Sequence, residues 1–432
     1  MVLKVRKSQT GGSVRIPGSK SHTIRALFFA SLAEGRSIIR SPLISGDALS
    51  ALDVCRAFGA GIENYIDRFE VTGFGGKPQT PENIIDVGNS GTTLRFALMT
   101  AGLAGGSTVF TGDYQIRRRP LGPLIEAMNS LGADVFSTLS NGCAPVIVRG
   151  RLKGGRTSLD AVTSQYLSSI LINAPLLDSD TLVDITRLNE APYVQMTLWW
   201  LDKFGIKYEN DGFRSILIKG GQSYKAFDAT IPGDFSSATF FMVQAAVSEG
   251  ELLLKNLDMS DPQGDKQVLS YLERMGASVR HGSGGITVKG GKLRGVDIDM
   301  NSTPDALPAM AVAGCFAEGE TRLLNVPQAR LKETDRIRVM RTELEKMGAD
   351  VEELPDGLII RQSALQGCAV SGHDDHRVVM ALAVAGLNVP GVTEIDTAEA
   401  MNVTFPEFPE LLRACGGNAE VAGGNPGGGM VL

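Results

Sequence analysis

Positive charge is what this sequence does not have in excess. Its 42 Lys and Arg stand against 48 Asp and Glu, a formal net charge of −6. A surface for nucleic acid or anionic lipid needs surplus cations to neutralise phosphates, so both partner classes are disfavoured and any anion site must be local. Cysteine is scarce too: Cys55, Cys143, Cys315, Cys368 and Cys415 are odd in number, widely scattered and form no CxxC pair. That pattern argues against a disulfide framework or a zinc site and reads as reduced core thiols of a cytoplasmic protein. No apolar run is long enough to span a bilayer, the longest being Ala306 to Ala317, and the opening MVLKVRKSQTGG lacks a signal-peptide core. Neither secretion nor membrane insertion is expected.

What is present is length and glycine. A chain of 432 residues exceeds what one hydrophobic core sustains, and 51 glycines imply many tight turns. An amphipathic helix ending in Gly, followed by an alternating strand, recurs in ALDVCRAFGAGIE, LIEAMNSLGADVF, TLWWLDKFGIKYE, VLSYLERMGASVR and RTELEKMGADVEE, with a degenerate copy at LLRACGG. The helix-ending residues are Gly59, Gly132, Gly205, Gly276, Gly348 and Gly416, about 72 residues apart, so the chain reads as six copies of one unit. A glycine there supplies the left-handed conformation that closes a helix. Each copy continues as a hairpin, as in ADVEELPDGLIIRQ with its Pro355-Asp356-Gly357 turn. A second helix in each copy, such as SHTIRALFFASLAEG or SSATFFMVQAAVSEG, is apolar nearly all round and should be buried.

These patterns predict an α/β fold of two similar domains, each with three βαβαββ-like repeats and buried helices surrounded by sheet, an inside-out α/β barrel. Residues 1–16 with 230–417 form one domain and 17–229 the other, joined by chain crossings near 12–18 and 225–232. The Gly-rich residues 418–432 are expected to be a disordered tail.

Polar clusters fall at helix starts: GSKS before a helix from Ser21, GNSGTT before one from about Thr92, RRRP with Pro120 at a first helical position, then TSQ, EAP, GDFSS, TPD, KETD and DDHR. Ordinary capping explains Ser, Thr and Asp at such places. It does not explain Lys20, Arg25, Arg95, Arg119, Lys332, Arg336 and Arg377, because the helix dipole disfavours cations at that end. Uncompensated cations beside unpaired N–H groups call for an anion, so two or more phosphate or carboxylate groups are the expected ligands.

Together GSKSHTIR, GNSGTTLR, RRRPLGPL, TSQYL, PDA, RLKETDRIR and DDHRVVMALA resemble, in order and spacing over about residues 3 to 415, the EPSP synthases (3-phosphoshikimate 1-carboxyvinyltransferases). The resemblance implies transfer of the enolpyruvyl group of phosphoenolpyruvate to the 5-hydroxyl of shikimate 3-phosphate, in the shikimate pathway of aromatic amino acid biosynthesis. It also implies a monomer with two small-molecule substrates, no cofactor, no metal, no nucleic acid and no membrane. By the same resemblance Lys20, Ser21, Arg25, Thr163, Ser164, Gln165, Asp305, Gln328 and Lys332 would bind shikimate 3-phosphate. Lys20, Asn89, Gly91, Arg119, Gln165, Arg336, His376 and Arg377 would bind phosphoenolpyruvate. The catalytic groups would be Asp305, Glu333, Lys20 and Lys332, brought together by closure of the two domains.

The chemistry needs such groups: the 5-hydroxyl loses a proton while C3 of the donor gains one, so two carboxyls are required, Asp305 as base and Glu333 as the group that protonates C3. His373 and His376 in HDDH are three apart, not the i, i+4 pair of a helical metal site. The chain departs from the family's pattern at Glu190 and Ala191, where a Ser and a basic residue are usual before Pro192-Tyr193, and Arg187 is the expected offset to the Glu190 charge. It departs also at Val403 for Lys, Thr163 for Ser, Gln328 for Asn and Phe96 for Pro. Two rival readings are a UDP-N-acetylglucosamine 1-carboxyvinyltransferase, whose family usually has Asn where Ser21 stands, and a non-catalytic phospho-ligand binder.

Overall fold

The computed structural model describes residues 1–423. The chain divides into two compact units, one of Met1–Pro17 with the chain from Pro232 onward, the other Gly18–Ile231. Among the described residues there are six four-stranded sheets of one topology: an edge strand parallel to its neighbour, then two antiparallel strands. The predicted six-fold repeat and the buried helices are observed. The glycines that end the amphipathic helices, Gly59, Gly132, Gly205, Gly276, Gly348 and Gly416, all have φ between +67° and +113°. That left-handed closure lets the chain turn directly into the edge strand of its hairpin. In the fifth copy strands Asp350–Leu354 and Gly357–Arg361 pair with Leu354 opposite Gly357, so Pro355 and Asp356 alone make the turn.

Within Gly18–Ile231 three helices, Lys20–Leu32, Gly91–Ala101 and Ser164–Asn173, are buried over almost every residue. The other unit buries Phe235–Val247, Leu307–Phe316 and His376–Gly386 in the same way. Several of their hydroxyls and amides bond back to the helix itself, as Thr100 does to the Phe96 carbonyl and Asn173 to that of Ser169, and others reach neighbouring segments, as Gln244 does to Thr10. Unpaired, each would cost about 1–3 kcal/mol of desolvation. A more polar helix in each copy, among them Gly46–Ala57, Ala191–Lys203 and Arg336–Lys346, buries only one face.

Topology explains where the helix starts go. In the third sheet strands Gly155–Ala161 and Thr181–Leu188 run parallel, and each feeds a helix from its C-terminal end. Parallel strands end on the same edge, so both helices start there. A register shift between Leu159 and Asp160 re-aims the chain just before Thr163, the cap of the Ser164 helix.

Several expectations need correction. Pro120 does not open a helix; Ile116–Arg118 forms a 3-10 turn, Arg119 follows it extended, and Pro123 takes the early position in Gly122–Ser130. The 3-10 turn consumes the residues that a helix would have used. Asn418–Ala422, expected in a disordered tail, is a strand paired with Val2–Arg6, which supplies the last strand of the sixth sheet. A pairing partner more than 400 residues away leaves no local signal; the rest of the expected tail, beyond 423, lies outside the described residues. Of the cysteines, Cys55, Cys315 and Cys415 are buried, but Cys143 and Cys368 are only partly so. Burial pushes the Cys55 and Cys315 thiols up to about 12, which keeps them protonated.

Candidate active site

The helix starts of Gly18–Ile231 assemble one set of polar groups. Ser19 caps the Lys20 helix, its Oγ accepting from the His22 amide at 3.5 Å, and Lys20 Nζ lies 3.1 Å from Asp47 Oδ2 at the start of the Gly46 helix. His22 is fully buried, and its Nδ1 accepts from Trp200 Nε1 at 3.0 Å. Ser21, beside them, gives its carbonyl to Arg25. Arg25 is 2% exposed and donates to Thr197 Oγ1 at 2.9 Å, the Ser21 carbonyl at 3.0 Å, the Tyr193 carbonyl at 2.9 Å and Ser168 Oγ at 3.4 Å. It ties the starts of the Lys20, Ser164 and Ala191 helices with neutral acceptors. Burial lowers its pKa to about 10, so it is still a cation at neutral pH. The guanidinium lies 5.4 Å from the ring centroid of Phe96, which gives that apolar residue a role in a helix start.

A second group surrounds Gly91. Asn89 donates to Asp113 Oδ2 at 2.6 Å and to Gln115, which fixes the turn before the helix. Arg95 donates to the Gly91 carbonyl at 3.0 Å and to the Pro120 carbonyl at 3.2 Å. A β-carbon placed on Gly91 would stand 2.6 Å from Arg95 Nη1 and 2.8 Å from Arg119 Nη1. Two guanidiniums therefore converge on a residue that can only be small. At the Ser164 helix Thr163 Oγ1, Ser164 N–H and Ser164 Oγ–H all point to one carboxylate oxygen of Glu190, while the Gln165 side-chain oxygen is buried without a hydrogen bond.

The other unit builds a compact ion network. Arg336, 1% exposed, donates to Asp375 Oδ2 at 2.8 Å and Oδ1 at 3.1 Å, to Asp305 Oδ1 at 2.8 Å and to Glu333 Oε2 at 2.6 Å. Arg377 donates to Asp305 Oδ2 at 3.0 Å, and Lys332 Nζ stands 3.7 Å from Asp305 Oδ1. Burial works against the Arg336 charge, but the surrounding carboxylates outweigh it and raise its pKa. Asp375 also caps the His376 helix by accepting from the Arg377 amide at 2.9 Å. His376 follows it, 2% exposed, and Gln328 in the short helix Pro327–Leu331 donates to the Asn301 carbonyl while its buried side-chain oxygen takes no hydrogen bond.

Asp305, Lys332, Glu333, Arg336 and Arg377 are thus brought together, and so are Gly91 with Arg119 and Thr163 with Ser164. The expectation of uncompensated cations is overturned for four of the seven: Arg336, Arg377, Lys332 and Lys20 all face carboxylates, whereas Arg25 is held by hydroxyls and carbonyls. A buried charge left without a partner costs several kcal/mol, so the protein supplies its own counter-ions. The sequence reading missed the partners Asp47, Asp113 and Asp375. Asp375 carried a signal, standing at a helix start within DDHR, whereas Asp47 is distant in sequence and carried none. Arg187, expected to offset Glu190, pairs instead with Asp160.

A family model described as EPSP synthase (3-phosphoshikimate 1-carboxyvinyltransferase) matches residues 5–412. The chain belongs to the EPSP synthase family. It is 68% identical over 416 residues to a 3-phosphoshikimate 1-carboxyvinyltransferase of Acetivibrio thermocellus, covering 96% of this chain and 98% of that one. To the protein of the same name from Ruminiclostridium cellulolyticum it is 65% identical, covering 98% and 100%. A solved EPSP synthase from Acinetobacter baumannii superposes with a TM-score of 0.82 at 29% identity, covering 98% of this chain and all of that one. Val403 ends the short helix Ala398–Val403.

Proposed function

We propose that this chain is a 3-phosphoshikimate 1-carboxyvinyltransferase, moving the enolpyruvyl group of phosphoenolpyruvate to the 5-hydroxyl of shikimate 3-phosphate with release of inorganic phosphate. The observation that carries the reading is the network of Asp305 and Glu333 on Arg336, with Lys332 and Arg377 alongside. It places two carboxylates among cations suited to a donor that bears both a phosphate and a carboxylate. No observation favours the nucleotide-sugar enzyme or the non-catalytic binder.

In the first step Asp305 takes the proton of the 5-hydroxyl as its oxygen bonds to C2 of the donor, and Glu333 delivers a proton to C3, leaving a tetrahedral adduct. In the second, C3 gives a proton back to Glu333 and the C2–O bond to phosphate breaks, restoring the double bond, while the departing phosphate takes up the proton held by Asp305. Arg336 and Arg377 exchange part of their carboxylate contacts for the donor's anionic groups, which frees Asp305 and Glu333 to work as acid and base. Lys20 and Lys332 neutralise charge developing on the adduct. Thr163, Ser164 and Gln165 with Ser21, Arg25 and Gln328 position the acceptor. Asn89, Gly91, Arg119, Gln165 and His376 position the donor. The enzyme acts as a cytoplasmic monomer and needs no metal or cofactor.

The direct test mixes both substrates with enzyme in excess and follows inorganic phosphate in a single turnover. One phosphate released per active enzyme is expected, and no release with both substrates at saturating concentration would overturn the reading. Gly91→Ala gives a second check. The atoms nearest the added methyl are the ends of the Arg95 and Arg119 side chains, both buried, which must shift, so a small loss of melting temperature is expected. The displaced guanidiniums should raise the KM for phosphoenolpyruvate about tenfold or more, the effect of weakening one charge-assisted contact.

A further inference from the structure

Glu190 lies where a mobile charged side chain is least expected. It is 1% exposed, and its backbone is left-handed at φ 58°, ψ 39°, a region costly for a side chain other than glycine. The side chain reaches to the start of the ten-residue Ser164 helix, and one oxygen takes Thr163 Oγ–H at 3.1 Å, the Ser164 amide at 3.1 Å and Ser164 Oγ–H at 2.8 Å. Two hydroxyls and a backbone amide on one oxygen are the donor set a phosphate oxygen would take. The side-chain oxygen of Gln165, next in sequence to Ser164, is buried without a hydrogen bond.

We propose that Glu190 is a specificity-determining residue, an internal carboxylate holding the anion position of the Ser164 helix that the acceptor's phosphate must displace. This rests on the reaction proposed above. A dianionic phosphate and a carboxylate cannot share three donors, because like charges at that distance repel and each has lone pairs but no proton to offer. The carboxylate leaves the three donors by rotating about its own side-chain torsions, driven by repulsion from the arriving phosphate. The consequence is selectivity. Inorganic phosphate or sulfate, without the ring contacts of the acceptor, gains too little to evict Glu190.

The experiment compares wild type with Glu190→Ser and Glu190→Gln, measuring KM for each substrate, competition by sulfate against shikimate 3-phosphate, and calorimetric binding of shikimate 3-phosphate alone. Both variants are expected to lower the KM and Kd for shikimate 3-phosphate, by roughly tenfold in Glu190→Ser and less in Glu190→Gln, whose amide still fills the position without charge. Sulfate should become a competitive inhibitor at least about tenfold more potent in Glu190→Ser. The KM for phosphoenolpyruvate should not follow. Unchanged or weakened binding of shikimate 3-phosphate in both variants, with folding intact by thermal melting, would overturn the proposal and leave Glu190 a helix cap. Binding is read without turnover, so a wild-type enzyme that binds but releases no phosphate sinks the functional reading and not this one.

Discussion

Asp305→Asn and Glu333→Gln are each expected to lower kcat by roughly 10²- to 10⁴-fold, the range for removing a positioned proton-transfer group. Both replacements keep shape and hydrogen-bonding capacity, and both residues retain some exposure, so the variants should fold. Their failures should differ in kind. If Asp305 accepts the hydroxyl proton, Asp305→Asn should accumulate neither adduct nor product. If Glu333 moves the proton at C3, Glu333→Gln should also abolish solvent deuterium incorporation at C3 during turnover. Each variant loses a carboxylate from Arg336, and that loss by itself weakens positioning of Arg336 and shows as a higher KM for the donor. A variant that keeps kcat within a factor of about three, with only KM raised, would mean that its carboxylate is a counter-ion and not a proton carrier.

Asp375→Asn is expected to cost about 1–3 kcal/mol of stability, because it strips a carboxylate that takes two bonds from a guanidinium itself 1% exposed, while the Asp305 and Glu333 carboxylates remain on Arg336. Burial pushes the Asp375 carboxyl up, but Arg336 at hydrogen-bonding distance outweighs it and holds the folded value below the unfolded 3.8. The sign follows from that direction: a depressed carboxyl contributes stability that is fully present above 3.8 and is lost as pH falls through the lower folded value. Wild-type protein should therefore keep this contribution at pH 5 and surrender it only below pH 3.8. Urea unfolding across that range checks both claims. An Asp375→Asn protein with an unaltered midpoint at neutral pH, or a difference from wild type that grows on acidification, would refute them. The same variant should lose activity without touching substrate, since Asp375 also sets the start of the His376 helix and the aim of Arg336.

Much of this architecture is local in origin and so could be read along the chain. Gly59 and its five counterparts ended their helices because a left-handed closure depends on one residue's own sterics. Ser19, Thr163, Asp234, Asp335 and Asp375 announced helix starts for the same kind of reason, a side chain satisfying an amide two or three residues on. Pro120 misled because a basic run before proline fits a helix start as well as the 3-10 turn that is found. The short strand Asn418–Ala422, rich in small and polar residues, offered no periodic signal and exists because Val2–Arg6 is there to pair with it.

The sequence by itself determined the repeat, most of the helix starts and the family, since those depend on propensities, caps and motifs carried within a few residues. Tertiary structure alone decided which charges meet. Lys20 with Asp47, Arg336 with Asp375, and Glu190 with Thr163 and Ser164 are separated by 27, 39 and 26–27 residues. A buried charge takes whichever counter-ion the fold brings within hydrogen-bonding distance, and electrostatic energy depends on that distance, not on position along the chain.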